Sequence, residues 1–224
     1  GGGSKIKVDG ITKRLSVGPD SAGASPGPVC YDKGGKEPTL TDADLVLGYL
    51  SEDNFAGGSI RLNREKSIES IRSLAKQLKM DEYEFASGVT TIAEFQMADL
   101  IRKVTVQKGL DPRDFVVFAF GGAGPVHMGV TARELGIKKV YIPFGDAAAV
   151  WCAFGAASAD ISHVNEKVKI TSSPFDKDDL NNTIEELEEK GNSQLEEDFV
   201  PTTSRIFNNS IDMRHKGQIN EVEI

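Results

Sequence analysis

Residues 115–127 read Phe-Val-Val-Phe-Ala-Phe-Gly-Gly-Ala-Gly-Pro-Val-His, and this stretch decides the fold. Its six leading apolar residues, bounded by turn formers, predict a strand buried on both faces. Glycines follow at once, and a helix is predicted over residues 126–135, stopped by Gly136. Gly121, Gly122 and Gly124 carry no Cβ, so a ligand can come close to the backbone. The helix behind them aims free N–H groups and the positive end of its dipole at that ligand. Pro125 suits the first helical turn, where its missing N–H would have been unpaired anyway. The stretch is neither a G-x-G-x-x-G fingerprint nor a Walker A loop, because Pro125 follows Gly124 and no Lys-Ser/Thr pair is present. Spacing alone leaves two readings open, an anion or nucleotide site and a tight structural turn. His127 either meets a ligand at the turn or bonds a backbone group.

Working outward, residues 139–143 predict a second short strand and residues 147–159 a small-residue helix, with Trp151 and Phe154 expected in the core. Strand, glycine turn, helix, strand, helix is the rhythm of an α/β layer. Upstream, Asp81 and Glu84 open a helix expected to reach Lys108, with Gly109 as its stop. Its buried side is expected to carry Phe85, Val89, Ile92, Phe95, Leu100 and Val104. A second helix starts at Asn63, with an apolar stripe of Ile68, Ile71, Leu74, Ala75 and Leu78. Residues 41–44 (Thr-Asp-Ala-Asp) are expected to cap a short helix ended by Gly48.

Residues 19–38 are dense in Gly, Pro and Ser and predict a long loop, packed or partner-facing. Residues 5–18 alternate around Asp9-Gly10, which predicts a hairpin with a type I′ turn. Gly1, Gly2, Gly3 and Ser4 are either a linker remnant or a backbone nest able to wrap phosphate oxygens. Beyond residue 164 the character changes. Residues 166–170 predict a strand, residues 176–198 an acidic helix with a solvated face, and the alternating residues 221–224 a further strand.

The chain has 224 residues and a net charge of −8, which argues against a nucleic-acid or anionic-membrane surface, since both need a basic face. No apolar run approaches the roughly 20 residues needed to span a bilayer. Cys30 and Cys152 are far apart, and His127, His163 and His215 are scattered, so no zinc spacing exists. A reduced, cytoplasmic setting is expected. Cys30 has no His or basic neighbour in sequence to activate it.

Taken together these segments resemble the hydantoinase A/oxoprolinase family, which includes ATP-dependent hydantoinases, 5-oxoprolinases and the nucleotide-handling subunits of acetone and acetophenone carboxylases. The resemblance is carried by GGGS at 1–4, VGPDSAGASPGPVCYDKGG at 17–35, PTLTDADLVLGYL at 38–50, DPRDFVVFAFGGAGPVH at 111–127, ELGIKKVYIP at 134–143, AFGAASADISH at 153–163 and IDMRHKGQ at 211–218. It implies an α/β, ribonuclease H-like nucleotide-binding domain of the actin/Hsp70/sugar-kinase type, a mixed sheet with packed helices. Such folds close two domains over ATP and a divalent metal, Mg2+ or Mn2+.

On this resemblance Gly1, Gly2, Gly3 and Ser4 are the second phosphate-contacting turn. Gly121, Gly122, Ala123 and Gly124 lie under the adenosine, with His127 beside them. The first phosphate turn, an Asp followed by glycines and Thr, is not in this sequence. The chain is therefore expected to be a fragment of the ATP-binding half, inactive alone, with residues 1–163 as the partial nucleotide-binding domain and 164–224 as the start of a C-terminal segment. Its implied partners are an N-terminal domain of the same chain, a hydantoinase B-type subunit and a small-molecule substrate. The implied reaction is ATP-dependent opening of a cyclic amide. Val150-Trp151 looks more like the ketone-carboxylase branch, which is the alternative; a non-catalytic nucleotide- or partner-binding module is the third reading.

Overall fold

The computed structural model describes residues 2–145 and 147–224. Gly1, one of the four residues of the expected phosphate turn, lies outside them. The fold is α/β and divides into two compact units, residues 1–156 and 157–224.

In the first unit, β1 (Ser4–Val8) pairs antiparallel with β2 (Leu15–Ser21). The hairpin follows from the alternation, but its turn does not follow from Asp9-Gly10. The loop spans residues 9–14, with Lys13 rather than Gly10 at positive φ. The Asp9 carboxylate accepts from the N–H groups of Ile11 and Thr12 and from the Thr12 hydroxyl, which opens a wider loop than a type I′ turn. The other edge of β1 is taken by residues 38–39, where Ile6 N–H donates to Pro38 O at 2.8 Å.

α1 (Leu40–Val46) is buried over its whole length. Its cap is Thr39, two residues before the expected Thr41, because Asp42 reaches back to the Thr39 N–H and completes a capping box. α2 (Arg64–Leu78) starts at the expected Asn63, whose side chain accepts from Lys66 N–H. α3 (Glu82–Val106) starts at the expected Asp81, which accepts from Tyr83 and Glu84 N–H. Ile6, Val17, Leu40, Val46, Ile71, Phe85 and Val89 form the main core from β1, β2, α1, α2 and the first half of α3.

The second half of α3 departs from the expected stripe. Phe95, Leu100 and Val104 are 47%, 63% and 59% exposed, and the buried positions are Ala93, Glu94 and Ala98. The reason is a change of partner along the helix. Residues 85–93 face α1 and α2, whereas Ala98 and Ile101 pack on the Ala132, Leu135 and Ile137 cluster, a rotated face.

β3 (Val117–Phe118) pairs parallel with β4 (Val140–Tyr141). The strand expected over residues 115–120, buried on both faces, is shorter and more open than that. Burial on both faces needs a layer on each side; here Val117 packs on the second cluster and Ala119 is buried, while Phe115, Val116, Phe118 and Phe120 stay exposed. Phe118 instead stacks with Tyr141 and Trp151, and Trp151 with Phe154, at centroid separations of 5.2–5.3 Å. Trp151 and Phe154 therefore form an open aromatic ladder, not core. α4 (Gly124–Leu135) ends at Gly136 as expected, and α5 (Ala147–Ser158) follows β4.

In the second unit, α6 (Lys177–Glu197) is capped by Asp176, and its acidic face is largely solvated. β5 (Asp212–Met213) and β6 (Val222–Glu223) form a short antiparallel pair. Residues 166–170 form no strand. Lys167 and Lys169 pair with Glu186 and Asp179 of α6, while Val168 and Ile170 point to solvent. Among the described residues no helix is long and apolar enough to cross a membrane.

Candidate functional site

The bend between β3 and α4 has an open backbone. Gly121 adopts φ +73°, the left-handed region that a β-carbon disfavours, and its N–H donates to Ala148 O at 3.1 Å. Gly121 and Gly122 are exposed, and nothing lies within 4 Å of where a side chain would begin at either. Ala123 caps α4 without any side-chain hydrogen bond to the first-turn N–H groups. Those amides are therefore available to an external acceptor.

The other glycine turn lies against this one. Gly2 O accepts from Thr41 N–H at 2.9 Å, and Gly3 O from Ala22 N–H at 2.8 Å. A methyl placed on Gly2 would lie 2.5 Å from Thr41 Oγ1 and 3.9 Å from the Ala123 methyl. Only glycine permits that approach. Ser4 opens β1, half-buried. Gly2, Gly3 and Ser4 are thus brought beside the bend that holds Gly121, Gly122, Ala123 and Gly124, with the start of α1 between them. Thr41, read from sequence as a cap, is the hinge of this junction. The signal that could have found it is its place in the TLTDAD run, inside the capping box formed by Thr39 and Asp42.

His127 is buried completely, one helical turn into α4. Its Nδ1 lies 3.4 Å from Glu94 Oε1 of α3, and its Nε2 lies 3.3 Å from Asp44 Oδ2 of α1. Asp44 and Glu94 are 2% and 8% exposed. The Asp44 approach is too poorly aligned for a hydrogen bond, and Asp44 Oδ1 and His127 Nε2 are left without one among the described residues. An unsatisfied buried polar atom costs about 1–3 kcal/mol, so the arrangement is held against a penalty. Burial pushes the His127 pKa down, but Asp44 and then Glu94 outweigh it and hold the ring above the ordinary histidine value. Sequence reasoning missed both carboxylates, because they reach the ring from distant helices.

Two shallow cavities flank Glu94, one lined by Phe95, Val130, Thr131 and Glu134, the other by Tyr49, Val126 and Val130. Neither includes the glycine bend. Open amides matter more to a phosphate than enclosed volume, so the backbone geometry places the candidate site at the glycine turns.

A third buried carboxylate, Asp42, is fully satisfied. It accepts from the N–H groups of Val29, Cys30 and Thr39 and from the hydroxyls of Thr39 and Ser67, tying the 19–38 loop to α1 and α2. Burial, and then the Asp42 charge, push the buried Cys30 thiol far above its ordinary range, so it is no nucleophile. His163 pairs with Asp198 in the second unit, and His215 is exposed beyond β5.

The chemistry at the two turns suits phosphate: backbone N–H groups and the hydroxyls of Ser4 and Thr41. Among the described residues no carboxylate joins them. Among the described residues no group of three or more His, Cys, Asp or Glu could hold a metal ion.

The family model described as Hydantoinase/oxoprolinase matches residues 1–165. The chain is 41% identical over 229 residues to caprolactamase subunit alpha of Pseudomonas jessenii, a match covering 100% of this chain and 32% of that protein. It is 40% identical over 229 residues to the acetophenone carboxylase gamma subunit of Aromatoleum aromaticum, covering 98% and 31%. The crystal structure of the ATP-dependent caprolactamase from Pseudomonas jessenii superposes with a TM-score of 0.79 at 39% identity, covering 100% of this chain and 33% of that one. The chain thus spans about a third of the length of the curated relatives it matches.

Proposed function

From membership of the hydantoinase/oxoprolinase family, to which this chain belongs, we propose that it forms one wall of an ATP site in a longer enzyme that opens a cyclic amide. Gly1, Gly2, Gly3 and Ser4 wrap phosphate oxygens with backbone N–H groups. Gly121, Gly122, Ala123 and Gly124 lie under the adenosine, and His127 acts from behind them. The observation that carries this reading is the junction of Gly2 with Thr41 and Ala123, which sets two side-chain-free bends side by side. Phosphoryl transfer asks mainly for positioning and charge stabilisation, and amides fixed at a helix start supply both.

ATP would phosphorylate the carbonyl oxygen of a lactam, hydantoin or 5-oxoproline-like ring and leave as ADP; water would then add to the activated carbon, the ring C–N bond would break with the nitrogen departing protonated, and the resulting acyl phosphate would be hydrolysed to carboxylate and phosphate. The partners that complete the site are a further domain of the same chain, a second subunit of hydantoinase B type, and the divalent metal that accompanies ATP. The similarity to a caprolactamase supports the amide reading. The second reading, an ATP-using subunit of a ketone carboxylase, is favoured by the acetophenone carboxylase similarity and by Val150-Trp151.

The test is ATP hydrolysis by the natural protein carrying this chain, in the presence of caprolactam, hydantoin, 5-oxoproline, acetone or acetophenone in turn. Stimulation by a cyclic amide is expected. Stimulation by a ketone alone would establish the carboxylase reading, and none at all would leave a non-catalytic module.

A further inference from the structure

Three ionisable side chains meet in the interior of the first unit from three different helices: Asp44 from α1, Glu94 from α3 and His127 from α4. Charged groups are rarely buried unless they are paired, and here a single imidazole stands between two carboxylates. The position of this cluster is specific. Thr41 and Ala123 are the residues that lie against Gly2. Asp44 follows Thr41 by three residues on α1, and His127 follows Ala123 by four on α4. Both steps are about one helical turn, so the cluster stands directly behind the junction of the two glycine turns.

We propose that Asp44, His127 and Glu94 form a charged clasp that sets the spacing between the two glycine turns, which makes His127 a positioning residue and not a nucleotide contact. The functional consequence rests on the nucleotide reading above; the clasp itself does not. The groups facing the ring are Asp44 from α1 and Glu94 from α3. On α1 the other acid, Asp42, is turned to the Cys30 loop and Ser67. On α4 the neighbour is the neutral Thr131, whose hydroxyl donates to Glu94 O at 3.4 Å. With the imidazolium in place, α1, α3 and α4 are drawn together behind the turns. With a neutral ring, two buried carboxylates face each other across it and the helices spread.

The raised His127 pKa agrees with this geometry. So do the separations of 3.3 and 3.4 Å and the two unbonded atoms, because a clasp that holds by charge needs no ideal hydrogen-bond alignment.

The experiment uses the natural protein carrying this chain, with heteronuclear NMR of selectively labelled histidine rings and amide hydrogen exchange across pH. His127 is expected to titrate above the ordinary histidine value of 6.5, the direction in which Asp44 and Glu94 push it. Asp44→Asn should lower the His127 pKa and speed exchange at the bonded N–H groups of Ala22, Thr41 and Gly121 by roughly tenfold or more, with α2 amides unchanged. If Asp44→Asn does not fold, Glu94→Gln, at the cavity-lined end of the clasp, carries the same expectation and decides. A His127 that titrates at or below 6.5, or exchange that rises uniformly through the unit, would overturn the proposal. Titration of the wild-type natural protein with ATP, run in parallel, reports on the nucleotide reading separately: absent binding there sinks that reading and leaves the clasp standing.

Discussion

The N–H of Thr41 donates to the carbonyl of Gly2 at 2.9 Å, tying the first turn of a buried helix to the glycine bend that precedes β1. Because α1 is buried along its length, this bond anchors an otherwise open turn to the best-packed part of the chain. The bend before α4 then meets the same turn through Ala123.

Gly2→Ala should therefore be destabilising, and for a reason that can be isolated. The new methyl meets Thr41 Oγ1 at 2.5 Å while Thr41 Cβ stays at 3.9 Å, so removing the hydroxyl removes the clash. A loss of about 1–3 kcal/mol is expected for the single variant. Thr41→Ala should recover about 1 kcal/mol of it, as a double-mutant cycle by urea denaturation would measure.

The two glycines at the other bend should behave differently from each other. Gly122 has open space and no positive φ, so Gly122→Val should leave the thermal midpoint almost unchanged, within about 0.5 kcal/mol. Gly121 sits at φ +73°, and Gly121→Val should cost about 1–3 kcal/mol in backbone strain despite equally open space. Equal effects of the two substitutions in calorimetry would contradict this account of the bend.

Asp42 should be among the most sensitive positions for stability. Asp42→Ala leaves the N–H groups of Val29, Cys30 and Thr39 and the Ser67 hydroxyl without their acceptor. A loss of about 3–5 kcal/mol is expected. Limited proteolysis should then cut first in the loop over residues 19–38, which that carboxylate holds down.

Stability should also fall as pH rises above 6.5. Burial opposes charging of His127, yet Asp44 and Glu94 raise its pKa above the unfolded value of 6.5. The stabilisation is then complete below 6.5 and is lost as pH rises through the folded-state pKa. A melting-temperature profile against pH should show this decline in the wild type and a flatter one in His127→Gln.

Much of this architecture is legible in the sequence. Asn63, Asp81 and Gly136 mark helix ends because a capping side chain or a left-handed residue acts locally, and all three do so in the structure. Where the partner is distant, the local signal fails. Phe95, Leu100 and Val104 have helical spacing, but α3 changes partners midway and buries Ala98 instead. Residues 166–170 alternate like a strand, but their lysines pair with the acids of α6 and no ladder forms. The glycine bends could be read from composition; their meeting at Thr41 could not, because it depends on how α1 packs. His127 was legible as a residue at a turn, whereas the two carboxylates that enclose it arrive through tertiary packing.

The most direct measurement of the central claim is equilibrium binding of ATP to the natural protein carrying this chain, wild type against Gly122→Val, followed by isothermal titration calorimetry. The account predicts saturable binding by the wild type and at least about tenfold weaker binding by a variant that is equally folded, a difference of about 1.4 kcal/mol. Equal affinities for the two proteins would show that the open amides at this bend do not hold the nucleotide.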